Sequence, residues 1–239
     1  MKALAMLICA LPAFGQVIPM GALPRPGGGA GGATPVVVSN NAVALDSSSA
    51  ADTVPLAMTA GNTAIVGVGY FPPGPSHPPV TLSDGSTCAY DGGGTDPNTN
   101  YTLYLYHCAV GTGITGATVS EAGTYYPCIS ILQVSGITGT LDTALALPYI
   151  GVGALWSTSV LNHTAGISAL EVALIYGSGG GGTTLLSSAT YTVAGQATTG
   201  AQPYCGLAYK IDTVTSSTYQ PNGTESPDSA NSTLGATYK

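Results

Sequence analysis

The chain has 239 residues, of which only 6% are charged, and its formal net charge is −7. An ordinary soluble domain has about 25% charged residues, and helices usually carry Glu, Lys and Arg on their wet face, so this composition disfavours a helical fold. Nucleic-acid binding requires clustered Lys and Arg to neutralise phosphates. No nucleic-acid partner is expected, because the few cations are scattered along the chain as Lys2, Arg25, Lys210 and Lys239.

The N-terminus, MKALAMLICALPAFGQ, has the pattern of a secretory signal. Lys2 supplies a positive charge, the apolar run Ala3–Ala10 follows, and small residues precede an expected cleavage before Gln16. The run is too short to span a bilayer as a mature helix, and a short buried apolar segment is the alternative. Residues 1–15 are therefore predicted to be a signal peptide, and the mature chain to be secreted or at the cell surface without a membrane span.

The next part of the chain predicts a linker and then a β-rich domain. Residues 16–34 are rich in Pro and Gly, as flexible linkers are. In the run Thr63–Phe71, apolar side chains occupy one face and glycines at 67 and 69 the other, which suits a strand whose back lies close to another layer. Similar runs recur between turn signals without helix-length amphipathic segments. Residues 35–212 are predicted to form one antiparallel β-sandwich of jelly-roll type, with about 10–12 strands.

Two further segments complete the prediction for this domain and its C-terminal side. Ser168–Tyr176 could form a helix by propensity, but its apolar residues alternate strictly, which predicts a strand. After Asp212 the apolar periodicity is lost, so residues 213–239 are predicted to be a Ser/Thr/Pro/Asn-rich tail that is mobile or leads to another segment. No internal repeat is evident in the sequence.

Four cysteines remain after the predicted signal: Cys88, Cys108, Cys128 and Cys205. An even number in an exported chain indicates disulfides, and the lack of a CxxC pair argues against zinc. Cys88 and Cys108 lie on successive β runs, so a hairpin would bring them face to face, and Cys128 would then pair with Cys205. Another pairing or four buried thiols are alternatives, because four cysteines allow three connectivities.

Several β runs carry a resemblance to a known class of module: GNTAIVGVGYF, VTLSDGSTCAYDG, NYTLYLYHCAVG, ISILQVSGI, SALEVALIY and GLAYKI. Over about Gly61–Ile211, their order is similar to jelly-roll or immunoglobulin-like β-sandwich modules of bacterial secreted and cell-surface proteins. Those modules have a GN turn before an apolar strand, a V-x-D-x-x-G-x-x-Y hairpin and an EVSG strand. This chain departs from them at Gln133 and in its cysteines. The resemblance implies adhesive, glycan-contacting or fibre-building roles and carries over no catalytic residue.

Aromatic side chains offer one candidate site. Exposed Tyr and Trp rings stack on sugars or pack in interfaces, and the chain has 14 tyrosines and one tryptophan. Tyr104, Tyr106 and Trp156 are the candidate ligand platform, and packing within the sheet is the alternative.

Three loop aspartates are the candidates for a metal site. Asp84, Asp91 and Asp96 lie in oxygen-rich loops of the kind that calcium prefers, although acidic turn residues usually cap backbone N–H groups instead. Three histidines are too far apart in the sequence to predict a shared metal site: His77, His107 and His163. No cofactor is expected, with Ca²⁺ at these loops as the alternative.

A catalytic role would have to rest on Glu121 and Glu171. A glycoside hydrolase needs two carboxyl groups about 5–9.5 Å apart across a cleft. No nucleophile elbow, zinc-protease or phosphate-loop motif is present in the sequence. The sequence therefore predicts a non-catalytic, secreted structural or adhesive protein, whose β-prone segment Val36–Leu45 could build fibres by strand addition. A carbohydrate-binding module is the alternative.

Overall fold

A computed structural model describes residues 33–46, 51–73, 76–121, 125–151, 155–158, 160–162, 168–178, 183–199, 203–213, 218–226 and 230–239. The described residues form strands and connecting segments without a helix, and their strand pairs are antiparallel. The all-β, antiparallel class predicted from the sequence is therefore confirmed. The predicted signal peptide at 1–15 and nearly all of the linker at 16–34 lie outside the described residues.

The first half of the chain contains strands β1 to β8, which are Val36–Ala44, Ala51–Pro55, Thr63–Tyr70, Val80–Leu82, Ala89–Thr95, Thr102–Ala109, Gly116–Ser120 and Cys128–Ser135. Five of them form the first central sheet in the order β1-β8-β3-β6-β5, and the other three form the first outer sheet in the order β2-β7-β4. The outer sheet packs on one face of the central sheet, where Val54, Val80 and Val119 meet Val66, Val68 and Ile131 in one apolar core.

The second half contains strands β9 to β18, which are Leu141–Gly151, Leu155–Ser157, Leu161–Asn162, Ala169–Ser178, Thr184–Leu186, Thr192–Thr198, Pro203–Asp212, Thr218–Tyr219, Asn222–Ser226 and Ala230–Tyr238. The second central sheet has the order β14-β15-β12-β18-β9, the second outer sheet has the order β10-β17-β13, and β11 pairs with β16. Trp156 and Leu185 of the outer sheet pack against Ala173, Ile175 and Ala208 of the central sheet.

The two halves share one topology. Strands β1 to β8 can be matched in chain order with β9, β10, β12, β13, β14, β15, β17 and β18. Under this match, the strand orders of both sheets in the first half are the same as those in the second half. The short strands β11 and β16 have no counterpart in this match. The prediction of a single sandwich was wrong, because the described residues form five sheets, in two sandwiches of matching strand order. What repeats is the order in which distant strands pair, and such long-range pairing leaves no periodic pattern in the sequence.

The two central sheets pack face to face, so the chain forms four layers. Ile65, Leu103 and Leu132 of the first sheet contact Leu174 and Leu207 of the second in a shared apolar core. Glycines of β3 permit this close approach, since a Cβ added at Gly67 would lie 2.7 Å from Leu174 Cδ1 and one at Gly69 would lie 2.3 Å from Tyr176 Cδ2. The prediction that the back of this strand lies close to another layer is confirmed.

The segment predicted to be a tail is part of the fold. Residues 213–239 contain β17 and β18, and β18 lies between β12 and β9 inside the second central sheet. Leu234, Ala236 and Tyr238 are fully buried there. The expectation of a mobile tail is corrected, because this strand is built from Ser, Thr, Gly and Ala and therefore lacks the large apolar alternation by which strands are recognised.

Candidate functional site

Two disulfides join the four cysteines in the pairing that the sequence favoured. Cys88, directly before β5, is linked to Cys108 of β6, with their Cα atoms 4.5 Å apart. Cys128 of β8 and Cys205 of β15 are linked with a Cα separation of 5.8 Å, and this bond crosslinks the two halves of the chain. Disulfides form and persist in oxidising compartments. Among the described residues, no helix is long and apolar enough to cross a bilayer.

The rings of the candidate ligand platform are buried. Tyr104, Tyr106 and Trp156 are 7%, 2% and 0% exposed. Tyr106 Oη donates to the carbonyl of Pro78 at 2.8 Å, and Trp156 Nε1 donates to the carbonyl of Thr224 at 3.2 Å. A stacking platform requires exposed ring faces, so these three side chains do not offer one in this structure. Tyr104 and Tyr106 of the first central sheet face the first outer sheet, and Trp156 of the second outer sheet faces the second central sheet.

A pocket of about 290 Å³ opens on the second outer sheet instead. It is lined by Leu155–Ser157 of β10, Asn222–Thr224 of β17 and Ser188, none of which is charged. The buried indole of Trp156 packs directly against Gly223 beneath the pocket, where an added Cβ would lie 2.2 Å from indole Cζ2. Leu155 is 58% exposed at the rim. The sequence did not identify this pocket, because its two main strands are far apart in the chain.

The three aspartates considered for calcium have separate partners. Asp84 Oδ1 accepts from the backbone N–H and the hydroxyl of Ser86, which lowers the pKa of this exposed carboxyl and makes a turn cap. Asp96 is buried and accepts from Ser232 Oγ at 2.6 Å. Asp91 has other partners, His107 and Tyr238. Among the described residues, no group of three or more His, Cys, Asp or Glu side chains is arranged to hold a metal ion.

Asp91 joins a histidine of the first half to a tyrosine of the second. His107 Nδ1 lies 2.6 Å from Asp91 Oδ1, and Tyr238 Oη donates to Asp91 Oδ2 at 2.8 Å. The bond to Asp91 raises the pKa of His107 above its ordinary value. A His–carboxylate pair can act in catalysis when a nucleophile stands beside the imidazole, but the contacts of this pair serve to join β5 and β6 to β18.

The glutamates considered for catalysis lie in different layers. Glu171 of β12 is buried, where it accepts from Tyr191 Oη and lies 3.3 Å from Lys210 Nζ. Burial raises the pKa of Glu171, and the bond from Tyr191 and the charge of Lys210 oppose that rise. These partners belong to the second sandwich, whereas Glu121 packs beside Tyr70 in the first. The two carboxyl groups do not share a cleft.

Glu121 instead forms a pair with Asp52. Both residues are 5% exposed, and they lie beside the buried phenol of Tyr70. Burial, together with the neighbouring carboxyl of Asp52, raises the pKa of Glu121 to about 8. The sequence separates these two residues by a long stretch of chain, so no local motif could reveal the pair. It becomes visible only because β2 and β7 are neighbours in the first outer sheet.

Comparisons with known proteins supply no relative. No family model, no curated protein and no solved structure matches this chain. What the chain does must therefore be inferred from its own geometry.

Proposed function

We propose that this chain is a non-catalytic structural or adhesive protein that acts outside the reducing cytoplasm, either secreted or at the cell surface. The observation that carries the proposal is the crosslinked four-layer stack, in which Cys128–Cys205 ties one sandwich to the other. The strand orders β1-β8-β3-β6 and β2-β7-β4, with matching orders in the second half, support describing each half as a jelly roll. A stack held together by a shared core and a disulfide suits a structural role.

The donor segment considered for fibre assembly is already used within the chain. Val36–Ala44 pairs with β8 over most of its length, and Gly195 N donates to Asn40 Oδ1 at 2.8 Å, so its other side contacts β14. Donation of this strand to a neighbour would require breaking both sets of contacts. Assembly through the outer surfaces is therefore favoured over donation of β1, since covered edges resist strand addition.

Export and intact mass test the proposal directly. The full chain is expressed in a secretion-competent host, and the exported protein is measured by non-reducing intact mass spectrometry and by light scattering. The expected mass lacks residues 1–15 and four hydrogens. Retention in the cytoplasm with all five cysteines as free thiols would contradict the proposal. The variant Cys128→Ala/Cys205→Ala is the matched control, because it retains Cys88–Cys108 and should lose two hydrogens only.

Carbohydrate binding is a second candidate, supported by the uncharged pocket on the second outer sheet. Its hydroxyl groups and the Asn222 amide are polar groups of the kind that hydrogen-bond sugars. A glycan array probes it, comparing wild type with Thr224→Arg, which fills the pocket. Thr184→Arg on the exposed face of neighbouring β13 is the control. Signals that Thr224→Arg abolishes and Thr184→Arg preserves are expected, and equal signals from both variants would exclude the pocket as the binding site.

A further inference from the structure

The contact between the two halves of the chain is reciprocal. β1 contacts β14, and the counterparts of these strands in the matched topology, β9 and β5, also contact each other. The same holds for β8 with β15 and for their counterparts β18 and β6. Exchanging the halves therefore reproduces the contact, as an approximate two-fold axis between the central sheets requires. This exchange also matches the two outer sheets, whose outward faces lie at opposite ends of the four-layer stack.

The two outward faces differ along one row of side chains. In the second outer sheet, Thr224 of β17 pairs with Leu155 of β10 and with Leu186 of β13, so the three residues form a row across the strands. Leu155 and Leu186 are 58% and 43% exposed. In the first outer sheet, the outward row that crosses all three strands consists of threonines, Thr53, Thr118 and Thr81. The fold therefore does not require exposed leucines at this row.

The outward face of the second outer sheet, with its central row Leu155, Thr224 and Leu186, is a leucine face without charge. The other side chains that alternate outward on its three strands are Ser, Thr or Asn. Glu225, the charged residue of these strands, is buried on the inward side, where it accepts from Tyr204 Oη. A charged ligand would find no counter-ion on the leucine face, whereas an uncharged apolar surface can pack there without burying an unpaired charge.

The order of the row makes the leucine face complementary to itself. Neighbouring strands lie about 4.8 Å apart, so Leu155 and Leu186 flank Thr224 at nearly equal distances. A second copy can be turned onto this face about a two-fold axis that passes through Thr224 and runs along β17 or along the row. Either axis places leucine against leucine and threonine against threonine, which is the reciprocity of a two-fold interface. The pocket of about 290 Å³ beside Leu155 gives room for apolar side chains of the partner.

We propose that two copies of this chain associate through their leucine faces as a symmetric dimer. The proposal rests on the structural role proposed above and names the surface and the partner for that role. The face spans three strands of at most five residues, which is about 14 Å by 17 Å, or about 240 Å² in projection. A stable interface uses about 800 Å² per partner. The dimer should therefore be weak and reversible in dilute solution, and should form where copies are concentrated in a surface layer or fibre.

Sedimentation velocity of the exported, oxidised full chain tests the proposal, from about 5 µM to about 1 mM and without added glycan. The average mass should rise with concentration from that of one chain toward that of two. Leu155→Ser/Leu186→Ser should weaken the association at least tenfold, because it removes the apolar contacts across the axis. Val36→Ser/Val38→Ser is the matched control, since it also replaces two exposed apolar side chains but on β1, and it should leave the association unchanged.

Opposite charges at Thr224 test the two-fold arrangement itself. Thr224→Arg and Thr224→Asp should each remain monomeric at the highest concentration, because each brings two like charges together at the axis. An equal mixture of the two variants should form a dimer with one copy of each. Thr224 is exposed, so both variants should fold, and their circular dichroism and Tm are compared with those of wild type.

Several outcomes would overturn the proposal. Wild type that stays monomeric at about 1 mM is one, and equal association of wild type and Leu155→Ser/Leu186→Ser is another. Association of wild type without dimers in the charge mixture would show that the leucine face meets a different surface. A monomer whose glycan-array signal is abolished by Thr224→Arg would assign the face to sugars. In each case an exported chain with both disulfides would leave the structural role standing, so the two failures are distinguishable.

Discussion

Removal of the crosslink between the two halves should cost more stability than removal of the disulfide within the first sandwich. Cys128–Cys205 spans a sequence separation of 77, and Cys88–Cys108 spans 20. By loop-closure entropy these bonds stabilise the folded state by about 4.5 and about 3.3 kcal/mol. All four cysteines are buried, so Cys→Ala replacement of either pair leaves a similar void, and the difference of about 1.2 kcal/mol reports the loop length.

Urea unfolding of the two double variants, followed by the fluorescence of the single tryptophan and by circular dichroism, measures this difference. With an m-value of about 2–3 kcal/mol/M, loss of the longer crosslink should lower the midpoint by about 1.5–2 M relative to wild type. Coincident curves from the two probes are required before free energies are compared. The reasoning is refuted if Cys128→Ala/Cys205→Ala is as stable as Cys88→Ala/Cys108→Ala, because the halves would then hold together without help from the crosslink.

Three further outcomes follow from the packing and charges. Gly69→Ala should lower the free energy of unfolding in urea by about 1–3 kcal/mol, because it overpacks the space between the central sheets. Gly94→Ala is the control and should change stability little, since nothing lies within 4 Å of its added Cβ. Equal effects of the two substitutions would contradict the close packing. The bond to Asp91 raises the pKa of His107 in the folded state. This pair should therefore stabilise the fold fully below the unfolded-state pKa of histidine, about 6.5, and the stabilisation should be lost as pH rises through the folded-state pKa. The loss of Tm caused by His107→Gln should be largest near pH 5.5 and small near pH 8.5. Deletion of residues 213–239 should abolish cooperative unfolding of the second half, and a truncated chain with native circular dichroism would disprove the role of β18.

Local patterns predicted the strands that carry large apolar residues. Thr63–Tyr70 and Ala169–Ser178 are strands in the structure because Val, Ile and Leu alternate along them, even where helix propensity competed. The pairing Cys128–Cys205 followed from elimination once Cys88–Cys108 was assigned to a hairpin. Ala230–Tyr238 was missed because small and hydroxyl side chains fill its sheet positions, and their burial depends on neighbours that sequence does not reveal.

Buried polar groups were the other failure of the sequence reading. Glu171 alternates with Leu170 and Val172 along β12, so in a sheet with one wet face its carboxyl would face solvent. The second outer sheet covers that face, so the carboxyl finds Tyr191 and Lys210 instead. The pair of Asp52 and Glu121 was invisible for a similar reason, since only the topology brings β2 beside β7.

The four-layer stack also helps to explain why the sequence has so few charged residues. Each central sheet is covered on both faces, by an outer sheet on one side and by the other central sheet on the other, so its inner strands have no wet face. All eight residues of Thr63–Tyr70 are buried, and Cys128–Ser135 is buried except at its end. Strands of this kind read as continuous apolar and small residues, and any carboxylate placed on them needs a partner. The stacking of two sandwiches of matching strand order thus contributes to the low share of charged residues, which is 6%.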